Sequence, residues 1–143
     1  MDASGRRRGH RLLPHTADVI VEAWGDDLPA CVEEAVLGLA ETYADARRAT
    51  EAERAQVHVP AGPDESLLLA ALDEMIFLLD TSPNVPVSAT VTAAEDGGLD
   101  LAIVLATHGT VEATGAAPKA ISRSELAVVA SANHVRCRYL VDV

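Results

Sequence analysis

A chain of 143 residues with 49% hydrophobic side chains is long enough for one domain with a real core. Its formal charge of −11 argues against tight binding of a nucleic-acid backbone, which needs clustered Lys and Arg, and favours solubility, basic partners and cations. With one Phe, one Trp and two Tyr, the core must be filled by Val, Leu, Ile and Ala.

The exception to the acidic balance comes first. "GRRRGHR" packs five positive-capable side chains into seven residues. Residues 1–11 read as a flexible, solvated tail, with an arm that touches phosphate as the alternative, and residues 12–143 as the domain. The first strand runs from Asp18 to Trp24, where Val19, Val21 and Ala23 alternate with Ile20, Glu22 and Trp24. The segment "HTAD", His15 to Asp18, sits at its entrance. "GDD" is a turn, and Asp27 caps a helix with Pro29 in its first turn. Leu28, Val32, Ala35 or Val36, Leu39 and Tyr43 make its apolar stripe, with Glu33, Glu34 and Glu41 off it. Gly38 suggests a close neighbour or a tolerated glycine.

"RRATEAER" is a charged connection and "AQVHVP" a short strand, with His58 on its wetter face. A second helix follows Asp64 as N-cap, with Glu65 in its first turn and a stripe of Leu68, Leu69, Leu72, Ile76 and Leu79, bordered by Met75. Beyond the linker "TSPNVP" the chain is β-rich. "VSATVTAAE" and "LDLAIVLAT" flank "DGG" as a hairpin, and "ELAVVA" and "VRCRYLVDV" flank "SANH" as a second. "HGTVEATGAAP" between them is loop or irregular strand. The fold class is α+β, a single domain with mainly antiparallel sheet packed with two main helices.

No apolar run reaches the roughly 20 residues of a membrane span, and no apolar stretch follows the basic N-terminus as a secretory signal requires. Cys31 and Cys137 lack metal-finger spacing and read as reduced, packed thiols of a cytoplasmic protein. There is no Gly-rich phosphate loop, GxSxG elbow, HExxH or paired CxxC.

What remains is carboxylates in odd places. Asp18 opens one apolar strand, and Asp142 is the penultimate residue of another. Asp is a poor strand former, so each needs a reason. One is a wet strand end that caps a loop. The other is a hard cation. If the first and last strands are neighbours, Asp18 and Asp142 face each other, and a divalent ion removes their repulsion. Val143 adds a terminal carboxylate. All-oxygen donors suit calcium, with magnesium or manganese as alternatives, better than zinc. His15, three residues before Asp18, would point to the opposite face of one continuous strand, as a hydrogen-bond partner rather than a ligand. Trp24 reads as core. Lys119 and Arg123 are ordinary surface charge or a patch facing an anionic partner.

In order along the chain, "HTADVIVEAWG", "ACVEEAVLGL", "ESLLLAALDEMIFLLDT", "KAIS" with "ELAVV", and the terminal "LVDV" resemble archease, the small acidic accessory protein of RtcB-type RNA ligases. The resemblance runs from about Leu12 to Val143. It implies an archease-like fold with a divalent-metal site on Asp18, Asp142 and Val143. It also implies a cytoplasmic, non-catalytic partner that helps an RtcB-type ligase form its guanylylated intermediate and turn over repeatedly in tRNA splicing or RNA repair. No membrane and no stable direct nucleic-acid contact are expected. The chain departs from the family pattern in "KAISRS", where Ser122 replaces Thr and Ser124 replaces His. A metal-dependent hydrolase using Asp18, Asp142 and His15, or an acidic assembly chaperone, are the competing functions.

Overall fold

The computed structural model describes residues 7–15 and 18–143, with side chains described from residue 18 onward and for residues 7–13. In chain order it contains β1 (Gly9–His15), β2 (Asp18–Gly25), α1 (Leu28–Tyr43), β3 (Ala44–Asp45), β4 (Glu51–Val59) and α2 (Asp64–Thr81). Then follow β5 (Val85–Ala93), β6 (Leu99–Ala106), a 3-10 turn, β7 (Glu112–Ala113), β8 (Ala120–Ser131) and β9 (His134–Asp142). A four-stranded sheet has the order β1-β2-β9-β8, a three-stranded sheet the order β4-β6-β5, and β3 pairs with β7. All pairs are antiparallel. The expected α+β architecture with two main helices is the observed one. No helix among the described residues is long and apolar enough to cross a membrane.

Helix α1 begins where expected: the Asp27 side chain accepts the Ala30 amide at 2.9 Å, satisfying an end donor. It packs on β1, β2 and β9 on one side and on β5 on the other. Gly38 is the point of closest approach. A Cβ there would stand 2.7 Å from Val21 Cγ1 and 3.3 Å from His10 Cδ2, so the glycine is required by packing. The core joins Val21, Ala23, Cys31, Leu39, Leu68, Leu72, Leu101, Ile103, Tyr139 and Val141, an aliphatic interior as composition dictates. Both cysteines are free and buried. The hairpin of β5 and β6 closes through Gly97 at φ +89°, a left-handed position that glycine takes without strain.

Several elements differ from expectation. The first strand is β1, not β2. Gly9–Arg11, assigned to a tail, pair with β2; the alternation of Gly9, Arg11 and Leu13 with His10 and Leu12 carried that signal under a basic composition. Residues 1–6 lie outside the described residues. Glu51–Arg54, read as a connection, begin β4. Pro63 rather than Asp64 precedes α2, and Asp64 is the first helical residue, with no side-chain cap. The buried face of α2 is turned by about one residue, so Leu67, Ala71 and Met75 are interior while Leu69 and Leu79 are half-buried. Trp24 is buried, but on the sheet face away from α1, outside the main cluster.

Arg7, Arg8 and His10 of the basic start meet carboxylates of the protein itself. Arg8 pairs with Glu33 and Glu34, each at 2.8 Å, and Arg7 with Asp26 at 3.0 Å. Glu33 also accepts the Val91 amide of β5 at 2.9 Å, so one carboxylate joins the N-terminal strand, the helix and the second sheet. His10 Nδ1 stands 2.9 Å from Glu34 and Nε2 2.9 Å from Glu41. Carboxylates only accept, so this ring carries both protons. The hydrogen bond to Glu34, joined by the one to Glu41, raises His10 above the ordinary imidazole range despite its burial. The same contact with His10, seconded by Arg8, holds Glu34 below the usual carboxylate range.

These shifts set a pH window. The His10 contribution is full below the ordinary imidazole value of ~6.5 and fades as pH rises through the raised value. The Glu34 contribution is full above the ordinary carboxylate value of ~4.3 and fades as pH falls through the lowered value. His10→Gln is therefore expected to destabilise by on the order of 1 kcal/mol at about pH 5.5 and by less at about pH 9, measured by urea unfolding. An equal loss at both would contradict a doubly protonated His10.

Candidate metal centre

The central strands of the larger sheet are β2 and β9, from opposite ends of the chain. Their register pairs Val21 with Tyr139, Ile20 with Leu140 and Val19 with Val141. The next step along the same register sets Asp18 across from Asp142. Directly opposed residues of an antiparallel pair share a sheet face. Val21, Ala23, Cys137, Tyr139 and Val141 face α1 and the core, so Asp18 and Asp142 belong to the other face. Neighbouring strands extend this row: Ala120 of β8 is the partner of Asp142, and His15 of β1 is the partner of Asp18.

The neighbourhood assumed for Asp18 and Asp142 is thus present. The geometry assumed for His15 is not. His15 ends β1 and Asp18 begins β2, and the two strands pair antiparallel, so Asp18 is not reached from His15 along one continuous strand. The argument that set them on opposite faces therefore fails. Thr16, Ala17 and the His15 side chain lie outside the described residues.

Both carboxylates are half-buried. Among the described residues, neither has an ion-pair partner. The Asp142 main-chain carbonyl accepts the Lys119 amide at 2.7 Å, which fixes the end of β9 and leaves the side chain uncommitted. Val143 packs its side chain against the core, tethering the residue after Asp142. Among the described residues no three or more His, Cys, Asp or Glu gather into a ligand cluster. Among the described side chains, a cation at this end would find the two carboxylates, with main-chain oxygen beside them. That all-oxygen set is the chemistry of calcium or magnesium, not of zinc.

Ser122 and Ser124 stand on β8 beside this end. Ser122 is opposite Leu140, two residues from Asp142, and its hydroxyl lies 3.1 Å from that of Ser124. The ladder slips between Ser122 and Ala127, so β8 bulges just past the site. Arg123, in that bulge, is close enough to Asp73 of α2 to oppose the upward shift that burial gives this carboxyl. Lys119 is exposed.

Two further groupings escaped the linear reading. His58 of β4 bonds Asp100 through Nδ1 and Asp96 through Nε2, both at 2.8 Å, tying that strand to the β5–β6 hairpin. The bond to Asp100, followed by that to Asp96, raises His58 above the ordinary imidazole range. Nothing local in sequence joins residues 58, 96 and 100; only the β4–β6 register does. The second grouping, Arg11, Arg136 and Arg138 around Trp24, lies at the opposite end of the four-stranded face. "VRCRY" does carry its signal, since alternate strand residues share a face.

Residues 10–143 match the Archease protein family. The "Probable protein archease" of Mycobacterium tuberculosis is 37% identical over 139 residues, which are 97% of this chain and 77% of that relative. The "Protein archease" of Pyrobaculum neutrophilum is 25% identical over 146 residues, covering 97% of this chain and 98% of the relative. The solution structure of Methanobacterium thermoautotrophicum protein 1598 superposes with a TM-score of 0.70 at 23% identity, over 94% of this chain and 99% of that one. The crystal structure of an archease, possible chaperone, from Thermotoga maritima gives 0.64 at 16% identity, over 92% and 94%. The two solved structures share the architecture described above.

Like charges directly opposed across a strand pair destabilise it by about 0.2–1 kcal/mol. In chelator at low salt, Asp142→Asn is accordingly expected to raise the thermal midpoint, and Asp18→Asn to do the same. A lowered midpoint in both would show that the carboxylates serve as caps.

Proposed function

The chain belongs to the archease family, and on that footing we propose that it is a non-catalytic activator of an RtcB-type RNA ligase. In this reading Asp18, Asp142 and Val143 hold a divalent cation, calcium by preference, at the end of the β2–β9 pair. The protein works in the cytoplasm and promotes guanylylation and repeated turnover of the ligase in tRNA splicing or RNA repair. The observation that supports the reading is the β2–β9 register, whose continuation past Val19 and Val141 sets Asp18 across from Asp142, neither with an ion-pair partner among the described residues.

The chain's own residues have a clear division of labour here. Hydrogen bonding through β2 and β9 fixes the main chain beneath each carboxylate, so little ordering entropy remains to be lost on binding. The core contact of Val143 restrains the last oxygen donor. A divalent ion, when bound, supplies a concentrated positive charge that offers coordination positions to oxygen ligands of a partner. Ser122 and Ser124 flank this end with neutral hydroxyls. The Ser122 and Ser124 hydroxyls at this end bond each other rather than a histidine or carboxylate base, which favours an accessory role over hydrolysis.

Guanylylation of the ligase, followed with and without this protein, tests the reading. Wild type is expected to stimulate multiple turnover, and the Asp18→Ala/Asp142→Ala double variant to lose most of that stimulation while remaining folded. Stimulation equal to wild type would remove the carboxylates from the mechanism. Phosphoester turnover by the purified chain alone would favour the metal-dependent hydrolase instead.

A further inference from the structure

The face of the four-stranded sheet turned away from α1 has two ends of opposite character. Asp18 and Asp142 stand at one. At the other, Arg11, Arg136 and Arg138 line a hollow of about 560 Å³ together with Glu22, Trp24 and Val129. That volume lies in the range of roughly 300–1,000 Å³ common to small-molecule sites. Three guanidiniums against one carboxylate are a local inversion in a chain of charge −11.

The arginines are arranged, not scattered. Trp24 pairs across the ladder with Arg136, and Glu22 with Arg138. Arg136 and Arg138 are alternate residues of β9, so they lie about 7 Å apart on one face. Arg11 lies two strands away, with its guanidinium 5.4 Å from the Trp24 ring centroid. Glu22 accepts Arg11 Nε at 2.8 Å and stands 3.5 Å from Arg138 Nη1. One carboxylate thus steadies two guanidiniums while leaving most of their N–H donors open. Arg136 is exposed and has no carboxylate partner among the described residues. Trp24 Nε1, in the same hollow's lining residue, is the one buried side-chain polar atom among the described residues without a hydrogen-bond partner.

We propose that this hollow binds the phosphate of a nucleoside monophosphate. Guanidinium forks pair bidentately with phosphate and carboxylate alike, and three of them lining one hollow suit a single dianionic phosphate better than singly charged carboxylates spaced along a peptide. Their convergence over the span of one nucleotide fits a compact dianion. Val129, exposed on this face, offers apolar surface for the nucleoside. Arg11 already covers the indole face, so affinity comes from the phosphate and base selectivity is weak. The site takes one phosphate group rather than a length of backbone, which accords with the acidic character of the whole chain. It is independent of the carboxylate end of the sheet.

Trp24 is the chain's single tryptophan and reports on the hollow directly. Its fluorescence is to be titrated with AMP, a short RNA with a 5′-phosphate, the same RNA without it, and an Asp-rich peptide. AMP is expected to give a saturable change whose midpoint weakens about tenfold or more in Arg136→Ala and in Arg136→Glu, the scale of one lost charge-assisted hydrogen bond. Circular dichroism of both variants should match wild type, because Arg136 is exposed. Asp18→Asn/Asp142→Asn should bind AMP as wild type does, which separates this site from the proposed ligase function. Response to the phosphorylated RNA but not the unphosphorylated one would support the same chemistry at a strand end. No response to AMP at millimolar concentration, an unaltered midpoint in both Arg136 variants, or a response to the peptide alone would overturn the proposal.

Discussion

The antiparallel pairing of β2 with β9 is the constraint on which the rest of the structure depends. It joins segments from opposite ends of the chain, a long-range closure that is entropically costly and must be offset by burial. Val21, Ala23, Cys137, Tyr139 and Val141 supply that burial against α1. The Tyr139 hydroxyl donates to the Ala35 carbonyl at 2.6 Å, 104 residues earlier, satisfying its one polar atom in the core. Once the two strands are paired, β1 can only add beside β2 and β8 beside β9. The α1 helix is then held between the two sheets, with Glu33 bonding β5 on one side and Arg8 on the other.

The same pairing writes charge onto the outer face. Successive alternate residues of β2 and β9 lead from Asp18 and Asp142, past Ile20 and Leu140, to Glu22 and the arginines. Asp18 and Glu22 are four residues apart, or about 13 Å along a strand. That separation exceeds a Debye length of about 8 Å at physiological salt, so salt weakens the coupling between the charges at the two ends. An acidic end suited to a cation and a basic end suited to an anion can therefore coexist on one small sheet. The average charge of the chain conceals this, because Arg11 lies at the other end of the sequence from Arg136 and Arg138 and joins them only in the fold.

Much of the architecture was legible from local chemistry. Asp27 before Leu28 and Pro29 marked the start of α1, and "DGG" and "SANH" between alternating runs marked the two hairpins, because caps and turns are decided within a few residues. Asp18 and Asp142 were legible as candidates because Asp is out of place in apolar strands, and their proximity followed from guessing the one strand pairing that matters. What was not legible depends on contacts distant in sequence. Gly9–Arg11 read as tail because composition outweighs a short alternation, and their strand exists through pairing with β2 and through His10 and Arg8 meeting carboxylates of α1. That His15 and Asp18 belong to two paired strands could not be told from one continuous strand without the partner strand. Trp24 read as core, and it is buried, but a single sequence does not say which of two sheet faces does the burying. The His58 bridge to Asp96 and Asp100 likewise exists only through register.

The central claim is that the joined ends of β2 and β9 form one cation site. Calorimetric titration of the chelator-stripped protein with calcium tests it most directly. The account predicts a single site per chain whose heat is abolished in Asp18→Asn and in Asp142→Asn alike, with both variants folded. No heat from wild type at millimolar calcium, or the same binding in either variant, would contradict it.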